Sequence, residues 1–96
     1  MRQYTDKQLQ EFDWHEAIEK ENFRQVCKWG IQTHSIFEWL TYTAEELGSL
    51  AKAIGENAYR NGSKEKVVSE AVQVATLALK IAEMFKFSQK GEKDEQ

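Results

Sequence analysis

Residues 64–87, KEKVVSEAVQVATLALKIAEMFKF, place apolar side chains around well over half of a helical circumference. Val67, Val68, Ala71, Val72, Val74, Ala75, Ala78, Leu79, Ile81, Ala82 and Phe85 form the apolar part, and Glu70, Gln73, Thr76, Lys80 and Glu83 a narrower polar stripe. A helix this apolar needs neighbours on several sides. The chain has 96 residues, which suits one domain, and a domain of that size has a thin core. The expected fold is therefore all-α: a helical bundle whose core is completed by homo-oligomerisation, most simply a two-fold dimer.

The remainder divides into two further helices and a tail. Thr5 with Gln8 has the spacing of a capping box, and a first helix is expected from about Asp6 to Lys28, with a bend or break near Glu19 to Asn22 where its apolar stripe is interrupted. Gly30 is a good helix stop, because glycine enters the left-handed conformation at little cost. Ser35 with Glu38 is a second capping-box pair, and helix two is expected to run to about Arg60. Its apolar face comprises Ile36, Trp39, Leu40, Leu47, Leu50, Ala51 and Ile54. Gly48 inside it suggests close approach of another helix, since an interior glycine costs about 1 kcal/mol. Asn61-Gly62 ends helix two and Ser63 caps helix three. Residues 1–87 are read as the single domain and 88–96 as a disordered polar tail.

Composition removes several function classes. With 41 % apolar and 11 % aromatic residues and no proline, the chain is globular. A net charge of −3 argues against a nucleic-acid polymer as partner. Neither a signal-peptide pattern nor an 18-residue apolar run is visible, so no membrane partner is expected. Cys27, the single cysteine, is read as buried and fits a reducing, cytoplasmic compartment.

The chemistry-bearing residues sit on helix edges. At about 100° per residue, Glu46 falls beside Trp39 and Leu50, at the border of the apolar face, whereas Glu45 points with the polar residues. A carboxylate on that border is costly unless hydrogen-bonded, paired or bound to a cation. Glu70 borders the apolar surface of helix three in the same way, with Gln73 one turn on. Two such helices suit a hard cation such as magnesium, which takes oxygen ligands and few carboxylates. The same residues also fit the solvated stripe of an otherwise buried helix. Arg24 and Lys28 are candidate phosphate partners. His34 is a candidate ligand or base that also fits a capping or packing role, and Trp29 and Trp39 are candidate platforms for a base or core residues.

The stretches EELGSLAKAI and VVSEAVQVATLALKIAEM together resemble the MazG-like all-α nucleoside triphosphate pyrophosphohydrolases, in which E-x-x-E on one helix and E-x-x-D on the next hold magnesium. ENFRQVCKWGIQTHSIFEWLTYTAEELG is similar to a branch found in phages and prokaryotes, carrying K-W-G-x-Q-x-H: here Lys28, Trp29, Gly30, Gln32 and His34, followed by Trp39. The resemblance covers about Ile18 to Phe85. It implies magnesium-dependent cleavage (manganese as substitute) of a nucleoside triphosphate, NTP or dNTP, to monophosphate and pyrophosphate by a homo-oligomer, dimer or tetramer. It implies metal ligands at Glu46, Ser49, Glu70 and Gln73, catalytic roles for Glu45, Glu46 and Glu70, and substrate contacts from Lys28, Trp29, Gln32 and His34. Ser49 and Gln73 stand where the family carries acids, and the loss of two charges weakens a hard-cation site. Two readings follow: an enzyme with a thinned metal site, or a catalytically degenerate protein that binds nucleotide or serves as an oligomeric interaction module.

Overall fold

The structure is a computed structural model that describes residues 11–30 and 33–87. Three helices dominate it, and no strand occurs among the described residues: α1 (Trp14–Trp29), α2 (Ile36–Tyr59) and α3 (Lys64–Lys86). The all-α expectation holds at this level. The first five residues of the expected helix one, its Thr5–Gln8 capping box, Ile31, Gln32 and the tail lie outside the described residues.

Each helix begins where a short polar side chain can take up an unpaired backbone donor. Asp13 caps α1, with Glu16 N–H donating to its Oδ1 at 2.9 Å. The helical path therefore breaks at Phe12–Asp13, and α1 runs unbroken through residues 19–22, where the sequence suggested a bend. Gly30, at φ 75°, ends α1 and donates to the Val26 carbonyl at 2.7 Å. Ser35 and Glu38 close the expected capping box reciprocally, at 3.2 and 3.0 Å. Ser63 caps α3 by accepting from Lys66 N–H at 3.1 Å.

The connection after α2 is tight. Arg60 N–H and Gly62 N–H both donate to the Glu56 carbonyl, at 2.8 and 2.9 Å. Asn61 takes φ 59°, a left-handed value that asparagine tolerates better than most residues. Asn57 Nδ2 closes the turn on the Gly62 carbonyl at 2.8 Å. This turn sends α3 back along α2, so that Glu46 meets Glu70 near the turn and Trp39 meets Lys80 further out. α1 packs on α3.

Polarity is distributed in reverse of the simplest expectation. Glu70 is 5 % exposed and Thr76 2 %, and Glu21 and Gln25 on α1 are also buried, so much of the polar stripe of α3 faces inward, with Gln73 and Lys80 half-buried and Glu83 exposed. Ala53 and Leu77 are the buried apolar residues among those described. The expected apolar face of α2 splits in two. Ile36, Trp39 and Leu50 are half-buried, while Leu40, Leu47, Ala51 and Ile54 are exposed. Val68, Leu79 and Phe85 are likewise exposed on α3. Gly48 has nothing within 4 Å of where a side chain would begin, and Cys27 is exposed rather than buried.

A Cβ at Gly62 would lie 2.9 Å from Glu56 Cβ and 3.0 Å from its carbonyl carbon, too close for the backbone to accommodate without moving. Gly62→Ala is expected to cost about 1–3 kcal/mol, the usual range for overpacking, with helical content retained. Urea unfolding followed by circular dichroism measures it, and an unchanged midpoint contradicts this account of the turn.

Candidate functional site

The interior carries three carboxylates, one from each helix: Glu21 on α1, Glu46 on α2 and Glu70 on α3. Their partners differ. Glu21 is gripped from its own helix, with Arg24 Nε and Nη2 at 2.9 and 2.8 Å and Gln25 Nε2 at 2.7 Å. Glu70 Oε1 pairs with Lys66 Nζ at 2.8 Å, one turn earlier on α3. Glu70 Oε2 is buried and, among the described residues, receives no hydrogen bond from an N–H or hydroxyl donor. The carboxyl of Glu46 stands within hydrogen-bonding reach of Glu70.

Two carboxylates brought together in a desolvated place cannot both ionise cheaply. Burial, followed by the hydrogen bond and charge of Glu70, raises Glu46 above the ordinary glutamate value. Glu70 is lowered, chiefly by the Lys66 hydrogen bond, against the opposing effect of burial. Burial pushes Glu21 upward, but hydrogen bonds from Arg24 and Gln25 with the charges of Arg24 and Lys80 outweigh it and leave a net lowering. The pair therefore titrates as a unit, with its shared proton on the Glu46 side and the anion on the Glu70 side.

Beside Glu46 opens a basin of about 1040 Å³, lined by all three helices, and Glu70 stands behind Glu46 without lining it. Glu45, Glu46 and Gln73 border it, as does His34, so the structure gathers four of the site residues suggested by the sequence around one space. His34 packs edge-on against Trp39 and Tyr42, ring centroids 5.1 Å away in both cases, and its Nδ1 lies 3.6 Å from Glu38 Oε2. Other expected residues fall elsewhere. Ser49 is exposed on α2, whereas Gln73, at the border of the basin, donates from Nε2 to Ser69 Oγ at 3.3 Å. Lys28 is exposed at the end of α1 and does not line the basin. Gln32 and the Trp29 side chain lie outside what the structure describes.

Lys80, Gln25 and Glu21 were not singled out from the sequence. Lys80 Nζ donates to Gln25 Oε1 at 2.8 Å, tying α3 to α1, and sits 5.6 Å from the centroid of the Trp39 ring. Burial lowers its pKa, opposed by the charges of Glu21 and Glu83. One signal for it was available: Glu70, Gln73, Leu77 and Lys80 fall in a single i+3/i+4 row. Glu21 follows Ala17 and Ile18 by four and three residues but precedes Arg24 and Gln25, so its row is half polar and gives a weaker signal.

The donor set suits a hard cation only in part. An unsatisfied buried oxygen on Glu70 beside the Glu46 carboxyl is an all-oxygen arrangement, and magnesium commonly takes one or two carboxylates, water and substrate phosphates. Among the described residues, however, no three His, Cys, Asp or Glu side chains are grouped to hold a metal ion. Glu46 and Glu70 thus fit a cation that arrives with phosphate, and do not form a cage of their own. The chain matches no protein-family model, no curated protein and no solved structure.

The raised Glu46 has a sign that can be tested. An acid whose folded value exceeds its unfolded value favours the fold while protonated. Its contribution is complete below the ordinary value of 4.5 and is lost as pH rises through the raised value. Glu46→Gln keeps a hydrogen-bond donor toward Glu70 and cannot ionise. Urea unfolding across pH 4 to 8 (roughly the span of perturbed carboxyls) is expected to show the wild type losing stability relative to Glu46→Gln as pH rises. Parallel curves for the two proteins count against a shared proton.

Proposed function

We propose that the chain is a MazG-like, metal-dependent nucleoside triphosphate pyrophosphohydrolase that works as a homo-oligomer. The observation that carries this reading is the meeting of Glu46 and Glu70, one from each acid-bearing helix, with a buried Glu70 oxygen lacking a donor. The resemblance picks out the same two residues from the sequence.

Glu46 and Glu70 would hold magnesium, with Gln73 and Glu45 at the border of the basin reaching it through water. When bound, the ion polarises the phosphoryl group and orients the attacking water. Lys66 keeps Glu70 ionised and so available as a ligand. Glu45, exposed at the rim, can take the proton released by a water on the solvent side. His34, Trp39 and Tyr42 supply an aromatic wall for the nucleoside.

Pyrophosphate release from a panel of NTPs and dNTPs, with magnesium and with manganese, tests the activity. Metal-dependent release that Glu46→Ala reduces by at least about 100-fold is expected, since Glu46 is one of two protein ligands. A second reading, nucleotide binding without turnover, is favoured by the outward placement of Ser49 and the absence of a third grouped ligand among the described residues. Binding without metal-dependent release decides for it.

Self-association rests on the exposed apolar rows. Leu40, Leu47, Ala51 and Ile54 on α2, with Leu79 and Phe85 on α3, leave more apolar surface outside than Ala53 and Leu77 bury inside. Two such side chains contribute only about 3 kcal/mol. A second copy laid against these rows would supply the missing core layer. Leu47→Glu, which places a charge in the row, is expected to convert a dimer or tetramer to monomer in sedimentation experiments and to lower the thermal midpoint. A wild type that sediments as a monomer at micromolar concentration contradicts the assembly.

No helix among the described residues is long and apolar enough to cross a membrane. An exposed single thiol suits the reducing cytoplasm, the compartment proposed here.

A further inference from the structure

The far end of the basin holds a combination that the phosphate chemistry does not use. In the antiparallel pairing of α2 and α3, Glu46 faces Glu70 and Trp39 faces Lys80. Seven residues on α2 and ten on α3 separate the two pairs, about 10 to 15 Å along the helices. A triphosphate at the carboxylate end would therefore carry its base toward Trp39 and Lys80.

The groups there are specific in what they offer. An ammonium has three donors and no acceptor. Among the described residues Gln25 Oε1 takes one of the Lys80 donors, at 2.8 Å, which leaves two directed elsewhere. The Trp39 ring, 5.6 Å from Nζ, is a flat apolar face beside them. Glu21 and Glu83 offset the Lys80 charge, so a second anion gains little there, whereas a neutral ring with acceptor atoms gains two hydrogen bonds. On a purine the adjacent acceptors are O6 and N7 of a 6-oxo base, the pair that lysine and arginine read by donating to both. A 6-amino purine presents a donor in place of O6. The N1–H of a 6-oxopurine also suits the carboxylate of Glu83 on the basin wall, whereas adenine has an acceptor at that position.

We propose that Lys80, held by Gln25 over the face of Trp39, is the base-reading residue of the basin and selects nucleotides with a 6-oxopurine base over those with a 6-aminopurine. This rests on the nucleotide reading of the site. Lys80 acts by contact with the base and is not assigned a part in the phosphoryl chemistry.

The test measures dissociation constants of ITP, GTP and ATP for the full chain in magnesium by calorimetry, with pyrophosphate release in parallel. ITP and ATP differ at the 6-position and its N1 proton, so their ratio isolates the reading edge. The wild type is expected to prefer ITP and GTP by roughly 10-fold or more. Lys80→Met keeps the length of the stem and removes the donors, and should bring the ratio near one. Lys80→Arg should restore it. A merely structural lysine would lower all three affinities together and leave the ratio intact, which overturns the proposal, as does a wild type with no 6-oxo preference. Selective binding without pyrophosphate release sustains the base reading and removes the hydrolase reading. Hydrolysis without selectivity does the opposite, and failure to bind any nucleotide removes both.

Discussion

A carboxylate buried at the junction of three helices governs the rest of this structure. Glu70 is desolvated, and its charge is balanced by one lysine from its own helix. Placing it inside turns much of the polar row of α3 toward the interior, with Gln73 and Lys80 half-buried and Glu83 exposed at its end, because residues three and four apart share a face. Thr76 follows Glu70 inward and donates to the Val72 carbonyl at 2.8 Å, so it is satisfied within its own helix. Once the polar row points in, the apolar residues of α3 that lie opposite must point out. The centre of the bundle thus carries hydrogen bonds and charge beside Ala53 and Leu77, and apolar residues such as Leu47, Ile54, Val68 and Leu79 are left at the periphery.

Such an interior is more exacting about register than an apolar seam. Hydrophobic contact is non-directional, and sliding one helix past another replaces one aliphatic neighbour with a similar one. Sliding α3 on α2 would instead separate Glu46 from Glu70 and Lys80 from Trp39, a loss of directional contacts that no aliphatic neighbour replaces. The ends of the helices reinforce that register by ordinary means, through the reciprocal Ser35–Glu38 box and the turn closed by Asn57.

The sequence was legible where local chemistry decides. The caps at Ser35 and Ser63, the stop at Gly30 and the Asn61-Gly62 turn all lie where residue type alone places them, and α2 and α3 end within one residue of expectation. Glu46 and Glu70 were legible too, as acids on an apolar border. What the sequence does not reveal is which side of a helix wins when both are plausible faces. Periodicity showed that α3 has a polar stripe but not that the stripe lies within, since that follows from contacts to α1 that no local pattern encodes. For the same reason Gln25, Lys80 and Glu21 gave no sign of meeting across a gap of some 55 residues. The break at Asp13 was missed because a weakened apolar stripe at residues 19–22 is a poorer guide to helix ends than an aspartate able to cap.

A polar interior also binds fold and ligand together. In the protein alone, burial and the charge of Glu70 raise Glu46, and Lys80 donates to Gln25 beside the Trp39 face. On the proposed nucleotide reading, a divalent ion with a polyphosphate would relieve the repulsion at one end, and a base would settle against the lysine and ring at the other. Both exchanges act on contacts that set the register of α2 against α3. Any ligand making them favours the folded state over the unfolded chain by RT ln(1 + [L]/Kd), about 2.7 kcal/mol at a hundredfold excess over Kd. For a domain whose buried apolar residues are Ala53 and Leu77 among those described, that is a substantial share of the stability available. The groups to which the proposal assigns nucleotide recognition are therefore the ones on which the helical hairpin itself depends.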